Sequence, residues 1–438
     1  MLPHSYINKL VSSPLVKNSM VYIVSDGISR AIPFLLLPVI SRYMTPSDYG
    51  ILTNYNVLTV ILGTIIYDCS AGVIPVMYYK LSKEEMSIYI SNMVFFNTLA
   101  TLLCVIPIIL FTGTLSEWLS LTQTIVLSTV VLAWFTSFMN TIKILWRCEE
   151  KPFSFGVFNI SYSAFSALTT ILFVVMLLMG WQGRVYSQLG VSILMGIFSA
   201  YLIYKKGYFT WKMSRTYIKS IALFAIPILP HALALWAKGG ADKIMLTNMC
   251  NLTDNGLYSV AITWGGIVSM VLTAYSNSYS PYLIKKMTMF DKDKIGTLKE
   301  QIKIVKVILV SMVIIIIAVI LMHAVSYVLI GFIYPNSYWD SRRYLPWVMA
   351  SQAFTGFYQL FVCFSHYTFN TKALGIMTFT ISALQVVTTY FFILYFGAIG
   401  VAYTTALGSL VMFVSVAIYG MHVYKLPWFY HFMNYDKS

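Results

Sequence analysis

Two pairs of opposite charges stand four residues apart within apolar runs of this 438-residue chain, Asp26 with Arg30 and Lys238 with Asp242. A spacing of four places both members of a pair on one face of a helix. A charge at the centre of a membrane helix costs roughly 2.5–3.5 kcal/mol on insertion scales, so it needs a partner or water. Each pair is therefore either an intrahelical ion pair that keeps its helix insertable or part of the lining of a hydrated cavity. An anionic cargo fits the second case, because Arg grips phosphate oxygens through parallel N–H donors and Lys acts as a point charge. Two spaced cations, partly neutralised by Asp26 and Asp242, suit a carrier that must also release its load. The candidate substrate-binding residues are thus Arg30, Lys238, Asp26, Asp242 and Lys143. Lys143 lies close enough to the inner end of its span that snorkelling to the interface is the competing reading. Asp68 is a lone carboxylate, readable as a proton or sodium site for coupling or as the ion-pair partner of a neighbouring helix.

Other reactive residue types carry no pattern. His231, His323 and His366 fall in apolar runs without metal-ligand spacing, and each reads as a hydrogen-bonded core histidine. The five cysteines show no CxxC pair and read as small buried hydrophobes. No metal site and no cofactor is expected.

The elements that must position these charges are membrane helices. The chain is 58% hydrophobic and only 10% charged, against about 25% charged in an ordinary soluble domain. Its net charge of +14 lies in short segments between apolar runs with no nucleic-acid-binding motif, so no nucleic-acid partner is expected. Residues 1–17 are mildly polar, so no cleavable signal is expected, and the run from Ser19 to Ile40 reads as a first span that stays in place. Twelve spans are predicted. They are 18–41, 50–76, 87–111, 121–146, 155–179 and 185–204, then 220–246, 256–281, 304–332, 344–368, 374–396 and 399–424. The expected fold is an all-α integral membrane protein with two pseudo-symmetric six-helix bundles. The bundles are residues 1–204 and 220–438, joined by a basic cytoplasmic linker, 205–219. Placing both termini in the cytoplasm puts 21 of the 29 Lys and Arg residues on that side, as the positive-inside rule requires. The longest loop, about 282–303, is basic and is expected to be partly helical along the membrane surface. Pro33 and Pro38 in the first span, and Pro227 and Pro230 in the seventh, mark two helices where bending would gate access.

The two halves repeat. Asp48-Tyr49-Gly50 and Asp254-Asn255-Gly256 lie 206 residues apart, and the same offset aligns Ser70 with Ser276, Pro75 with Pro281 and Lys80 with Lys286. Repeated bundles are typical of transporters that bind substrate where the repeats meet.

The stretch Leu37-Pro38-Val39-Ile40-Ser41-Arg42-Tyr43-Met44-Thr45-Pro46-Ser47-Asp48-Tyr49-Gly50 resembles the junction between the first two helices of bacterial polysaccharide flippases. These are the Wzx-type members of the multidrug/oligosaccharidyl-lipid/polysaccharide exporter superfamily. Ala241-Asp242-Lys243-Ile244-Met245-Leu246, followed by Asn255-Gly256-Leu257-Tyr258-Ser259-Val260-Ala261, is similar to the second-half junction. Where the family commonly has Arg after that Asp, this chain has Lys243, which keeps the charge and loses the planar donor fork. The resemblance implies two six-helix bundles around a central cavity, working by alternating access. It implies movement of a polyprenyl-diphosphate-linked oligosaccharide from the cytoplasmic to the periplasmic leaflet of the bacterial inner membrane. Such transport would serve O-antigen (lipopolysaccharide) or capsule biosynthesis, beside other membrane proteins of polysaccharide assembly and with H+ or Na+ as candidate coupling ions. The alternative is an ion-coupled small-molecule or multidrug antiporter of the same superfamily, for which an acidic cavity would be the more natural signature. There is no P-loop sequence and no large outer loop to hold a polymerase or ligase site, so an enzyme is not expected.

Overall fold

A computed structural model describes residues 14–292, 297–368 and 371–428 of the chain. The two terminal segments, and the centre of the loop expected over 282–303, lie outside the described residues. Among the described residues every regular element is helical.

The first half contains α1 (Pro14–Ile40), α2 (Pro46–Gly63), a π-helical turn (Thr64–Asp68), α3 (Cys69–Ala71) and α4 (Ile74–Tyr78). It continues with α5 (Lys83–Leu110), α6 (Thr112–Leu119), α7 (Gln123–Cys148), α8 (Pro152–Thr170), a second π-helical turn (Ile171–Met176) and α9 (Gly180–Lys205). Then follow α10 (Arg215–Met249), α11 (Leu252–Lys292), α12 (Thr297–Ile333), a 3-10 helix (Asn336–Arg343), α13 (Leu345–Tyr367), α14 (Thr371–Phe396) and α15 (Ile399–Val423). Two compact units divide the chain, one ending at Trp236 and the other beginning at Ala237, so α10 contributes to both.

Among the described residues, eleven helical segments are long and apolar enough to cross a membrane. The predicted tenth span is present as the 23-residue α13 but is not one of the eleven. Its sequence includes Gln352, Gln359, Ser351 and Ser365, and most of its residues are buried or half-buried within the second unit. Ser351 is hydrogen-bonded to Ser409 of α15 at 2.9 Å. A helix surrounded by protein can carry polar side chains that a lipid-facing helix cannot. The basic loop expected over 282–303 is largely a continuation of its flanking helices, since α11 runs to Lys292 and α12 starts at Thr297. Helices of 41 and 37 residues exceed the roughly 20 needed to cross the hydrocarbon core. α14 and α15 turn at Gly397, whose φ of +66° is left-handed and easily reached without a Cβ.

The sequence repeat is a structural repeat at the starts of α2 and α11. Thr45 caps α2 by accepting from the Asp48 backbone N–H at 3.2 Å, while Asp48 accepts from the Thr45 backbone N–H at 2.8 Å. At the same offset Asn251 accepts from the Asp254 N–H at 2.8 Å and donates its side-chain amide to the Asp254 carboxylate at 2.9 Å. Each cap stabilises its helix by about 1 kcal/mol. The halves diverge beyond the caps. α11 passes through Pro281 unbroken, whereas the matching Pro75 lies in the first turn of the short α4, after the π-helical turn and the break at Gly72–Val73.

The segment after α9 is fastened to the first unit. The Thr210 N–H donates to Ser91 Oγ at 2.7 Å and the Ser214 N–H to Asn92 Oδ1 at 2.9 Å, both on α5. Tyr208 is buried in an apolar cluster with Trp146, Phe155 and Ile221. Beside it Glu149 pairs with Lys206 and, at 2.9 Å, with Lys151. Partial burial works to raise the Glu149 carboxyl, but the Lys206 and Lys151 ammonium groups and the Tyr208 hydroxyl outweigh it and hold the group below the usual carboxylate range.

Candidate charged site in the first unit

The site begins with a close helix contact. A Cβ at Gly156 of α8 would stand 2.9 Å from the Ser25 Cβ of α1, tighter than real side chains allow. Glycine therefore lets the two helices approach there. Ser25 and Ser29 keep the seam narrow by donating their hydroxyls to α1 carbonyls one turn back. One turn beyond Gly156, Asn159 reaches across and donates to Asp26 Oδ1 at 3.2 Å. The other oxygen of Asp26 accepts from Arg30 Nε at 3.3 Å, so the four-residue pair of the sequence does form. It is not buried, with the Arg30 side chain 69% exposed and that of Asp26 44%.

The other two candidates of the first half join this pair. Asp68 ends the π-helical turn, four residues after Thr64. Such turns displace one residue from the regular helical face and recur at functional sites. Lys143 of α7 is half-buried and lies within electrostatic range of Asp26, Asp68 and Arg147. Lys143 thus lies in the field of two carboxylates, Asp26 on α1 and Asp68 on the α2 line, and forms an ion pair with neither among the described residues.

The second-half pair behaves differently. Among the described residues no ion pair joins Lys238 to Asp242. Asp242, 8% exposed, accepts from the Tyr258 hydroxyl at 3.1 Å and from the Lys243 backbone N–H at 2.8 Å. The Tyr258 hydroxyl also bonds Thr405 Oγ1 at 2.9 Å, linking α10, α11 and α15. Lys238 is half-buried. A cross-helix phenol therefore replaces the same-helix ammonium as the partner of this carboxylate.

Sequence reasoning did not select Asn159, Arg147 or Arg184. Asn159 is a single amide in an apolar span, and only the Gly156 contact gives it a role. Arg147 stands in the last turn of α7, and its guanidinium carbon lies 4.7 Å from the centre of the Phe155 ring. Arg184, at an expected outer helix end, donates to Ser166 Oγ at 3.1 Å and Thr170 Oγ1 at 2.7 Å. His323 and His366 join no metal-ligand cluster among the described residues, and the His231 side chain lies outside them. All five cysteines are free, and all but Cys250 are buried.

The fold has counterparts among solved structures. An inward-facing multidrug resistance MATE family transporter of the MOP superfamily superposes with a TM-score of 0.68 at 14% identity, covering 92% of this chain and 98% of that one. The lipid II flippase MurJ, in an inward closed conformation, gives 0.68 at 14% identity over 91% of this chain and 87% of its own. In sequence, the chain is 24% identical over 279 residues to a Haemophilus influenzae protein named Lsg locus putative protein 1. That match spans 62% of this chain and 66% of the relative, just under two thirds of its length. An uncharacterized membrane protein of the same organism is likewise 24% identical, over 283 residues. With residues 15–287 matched to it, this multi-pass membrane protein belongs to the polysaccharide biosynthesis protein family and has the fold of the MOP-superfamily transporters.

Proposed function

We propose that the protein is a flippase for polyprenyl-diphosphate-linked oligosaccharide. It would carry the repeat unit from the cytoplasmic to the periplasmic leaflet of the bacterial inner membrane by alternating access, for assembly of a surface polysaccharide such as O-antigen or capsule. The observation that carries this reading is the exposed Arg30–Asp26 pair, with Lys143 and Asp68 beside it, on otherwise apolar helices. Exposed charge on such helices requires water, and hydrated cations are what a diphosphate headgroup needs in place of bulk solvent. Asp26 keeps Arg30 compensated while the site is empty and competes with the headgroup afterwards, which favours release over tight retention. Lys238 and Asp242 are proposed as further headgroup contacts, and Asp68 as the residue that couples transport to H+ or Na+. Membership of a polysaccharide biosynthesis family and likeness in fold to a lipid flippase support the reading.

The test is made in a deletion strain of the source bacterium. Surface polysaccharide is quantified, and the leaflet of the lipid-linked unit is read with a glycan-modifying reagent confined to the periplasm. Lost polymer with lipid-linked units trapped inside is expected. Unchanged polymer with units that the reagent modifies, together with new drug sensitivity, would instead mean a small-molecule antiporter.

A further inference from the structure

One cation of the first unit lies against a buried ring and forms no ion pair among the described residues. Arg147 ends α7 beside a cleft of about 390 Å³, whose lining includes Gly72, Pro75, Tyr79 and Ile144. The cleft opens where the second span breaks between α3 and α4, with Pro75 in the first turn of α4. Its other side is the last turn of α7.

The orientation of Arg147 is set by rings. Its guanidinium lies 4.7 Å from the centre of Phe155, a ring 2% exposed that Tyr22 contacts edge-on at 5.2 Å. A ring beside a guanidinium takes up none of its N–H donors, and those donors bind phosphate oxygens in pairs. Among the described residues no ion pair engages Arg147, while Glu149, two residues on, is taken by Lys206 and Lys151. An orienting charge at a membrane surface needs neither an anchoring ring nor a cleft.

Lys143 precedes Arg147 by four residues on α7, about 6 Å deeper along the same face, and the two charges are within electrostatic range. Lys143 in turn reaches the electrostatic range of Asp26, which Arg30 holds. Three cations follow one another from the helix end inward, and the outermost forms no ion pair among the described residues.

We propose that the Arg147 cleft is the site where the diphosphate of the lipid-linked substrate is first captured, before it passes to Lys143 and Arg30. The proposal rests on the flippase reading above and adds a site and a residue to it. Arg147 supplies the bidentate contact, Phe155 orients it, and the broken helix supplies the space. The Arg147 charge draws the anion in, and Asp26 and Asp68, beside the deeper cations, keep it from being retained at Lys143 and Arg30.

The experiment measures binding of farnesyl diphosphate to the purified full-length protein in phosphatidylcholine nanodiscs. Farnesol, inorganic pyrophosphate and phosphatidylglycerol-containing nanodiscs serve as the comparison arms. The parent is expected to bind farnesyl diphosphate and not farnesol. Arg147→Gln should weaken binding at least about tenfold, and Arg147→Lys should fall between the two. Phe155→Leu, which keeps the charge while removing the ring, should also weaken it by several-fold, with unchanged helicity by circular dichroism showing that the fold is intact although the lost core packing lowers the thermal midpoint. Unchanged binding in Arg147→Gln, with binding lost in Arg30→Ala, overturns the capture site and leaves the flippase reading standing. No binding to the parent counts against both. Inorganic pyrophosphate binding as tightly as the farnesyl ester, or full competition by phosphatidylglycerol, overturns the assignment to a lipid-linked diphosphate.

Discussion

Asn159 and Asp26, 133 positions apart, are joined by a 3.2 Å hydrogen bond that crosses from α8 to α1. The bond fixes one carboxylate oxygen and leaves the other for Arg30. Asp26 is thereby held in one rotamer, and Arg30 is aimed by a residue that is itself aimed. Asn159→Ala should let the carboxylate rotate, at a cost of about 1 kcal/mol for a partly exposed bond. The expected outcome is a small drop in thermal midpoint and a several-fold loss of surface polymer, measured at matched protein levels.

Arg30→Ala should abolish transport while membrane insertion stays intact, since it removes the planar donor and frees Asp26. Arg30→Lys keeps the charge and should retain part of the activity. Quantified surface polymer in a complemented deletion strain provides the check. Normal polymer from Arg30→Ala would remove Arg30 from the substrate path.

Asp68→Asn tests coupling. The amide keeps the shape at the end of the π-helical turn and cannot take up a proton or balance Lys143. Transport by the parent should fall when an ionophore collapses the ion gradient, and the variant should respond less. Equal responses would assign Asp68 a purely local role beside Thr64 and Lys143.

Tyr258→Phe removes the hydroxyl that donates to the buried Asp242, leaving the carboxylate with the Lys243 backbone N–H. Losing one donor to a buried carboxylate costs about 1–3 kcal/mol. A lowered thermal midpoint is expected, with the double variant Tyr258→Phe/Asp242→Asn recovering part of it.

Glu149 gives a pH dependence of known sign. Its carboxyl is held below the usual range in the folded protein, so its contribution is complete above the unfolded value of about 4.3. That contribution disappears as pH falls through the lowered folded value. The Lys206–Glu149–Lys151 pairing is partly exposed and contributes about 1 kcal/mol. Parent and Glu149→Gln should therefore differ in thermal midpoint at pH 7 and converge at acid pH. A constant difference would assign the stabilisation to packing of the side chain.

Hydropathy and local spacing are properties of the chain, and the features that depend only on them were legible in the sequence. Apolar runs long enough to span gave the helices, because an uncovered backbone polar group in lipid costs several kcal/mol. The Asp48 and Asp254 repeat marked two helix starts, because a cap needs only residues three apart. The Asp26–Arg30 pair forms as its spacing predicts. Choices between competing partners on different helices belonged to the tertiary structure. Lys238 and Asp242 have the same spacing, yet Tyr258 and the Lys243 N–H hold Asp242, because a buried carboxylate is satisfied by whichever donors packing brings to it. Asn159 acquires a role only through the close approach at Gly156, and Arg147 only through the Phe155 ring and the broken helix beside it. The sequence specifies which groups are charged and how they are spaced along each helix, and helix packing decides which of them meet.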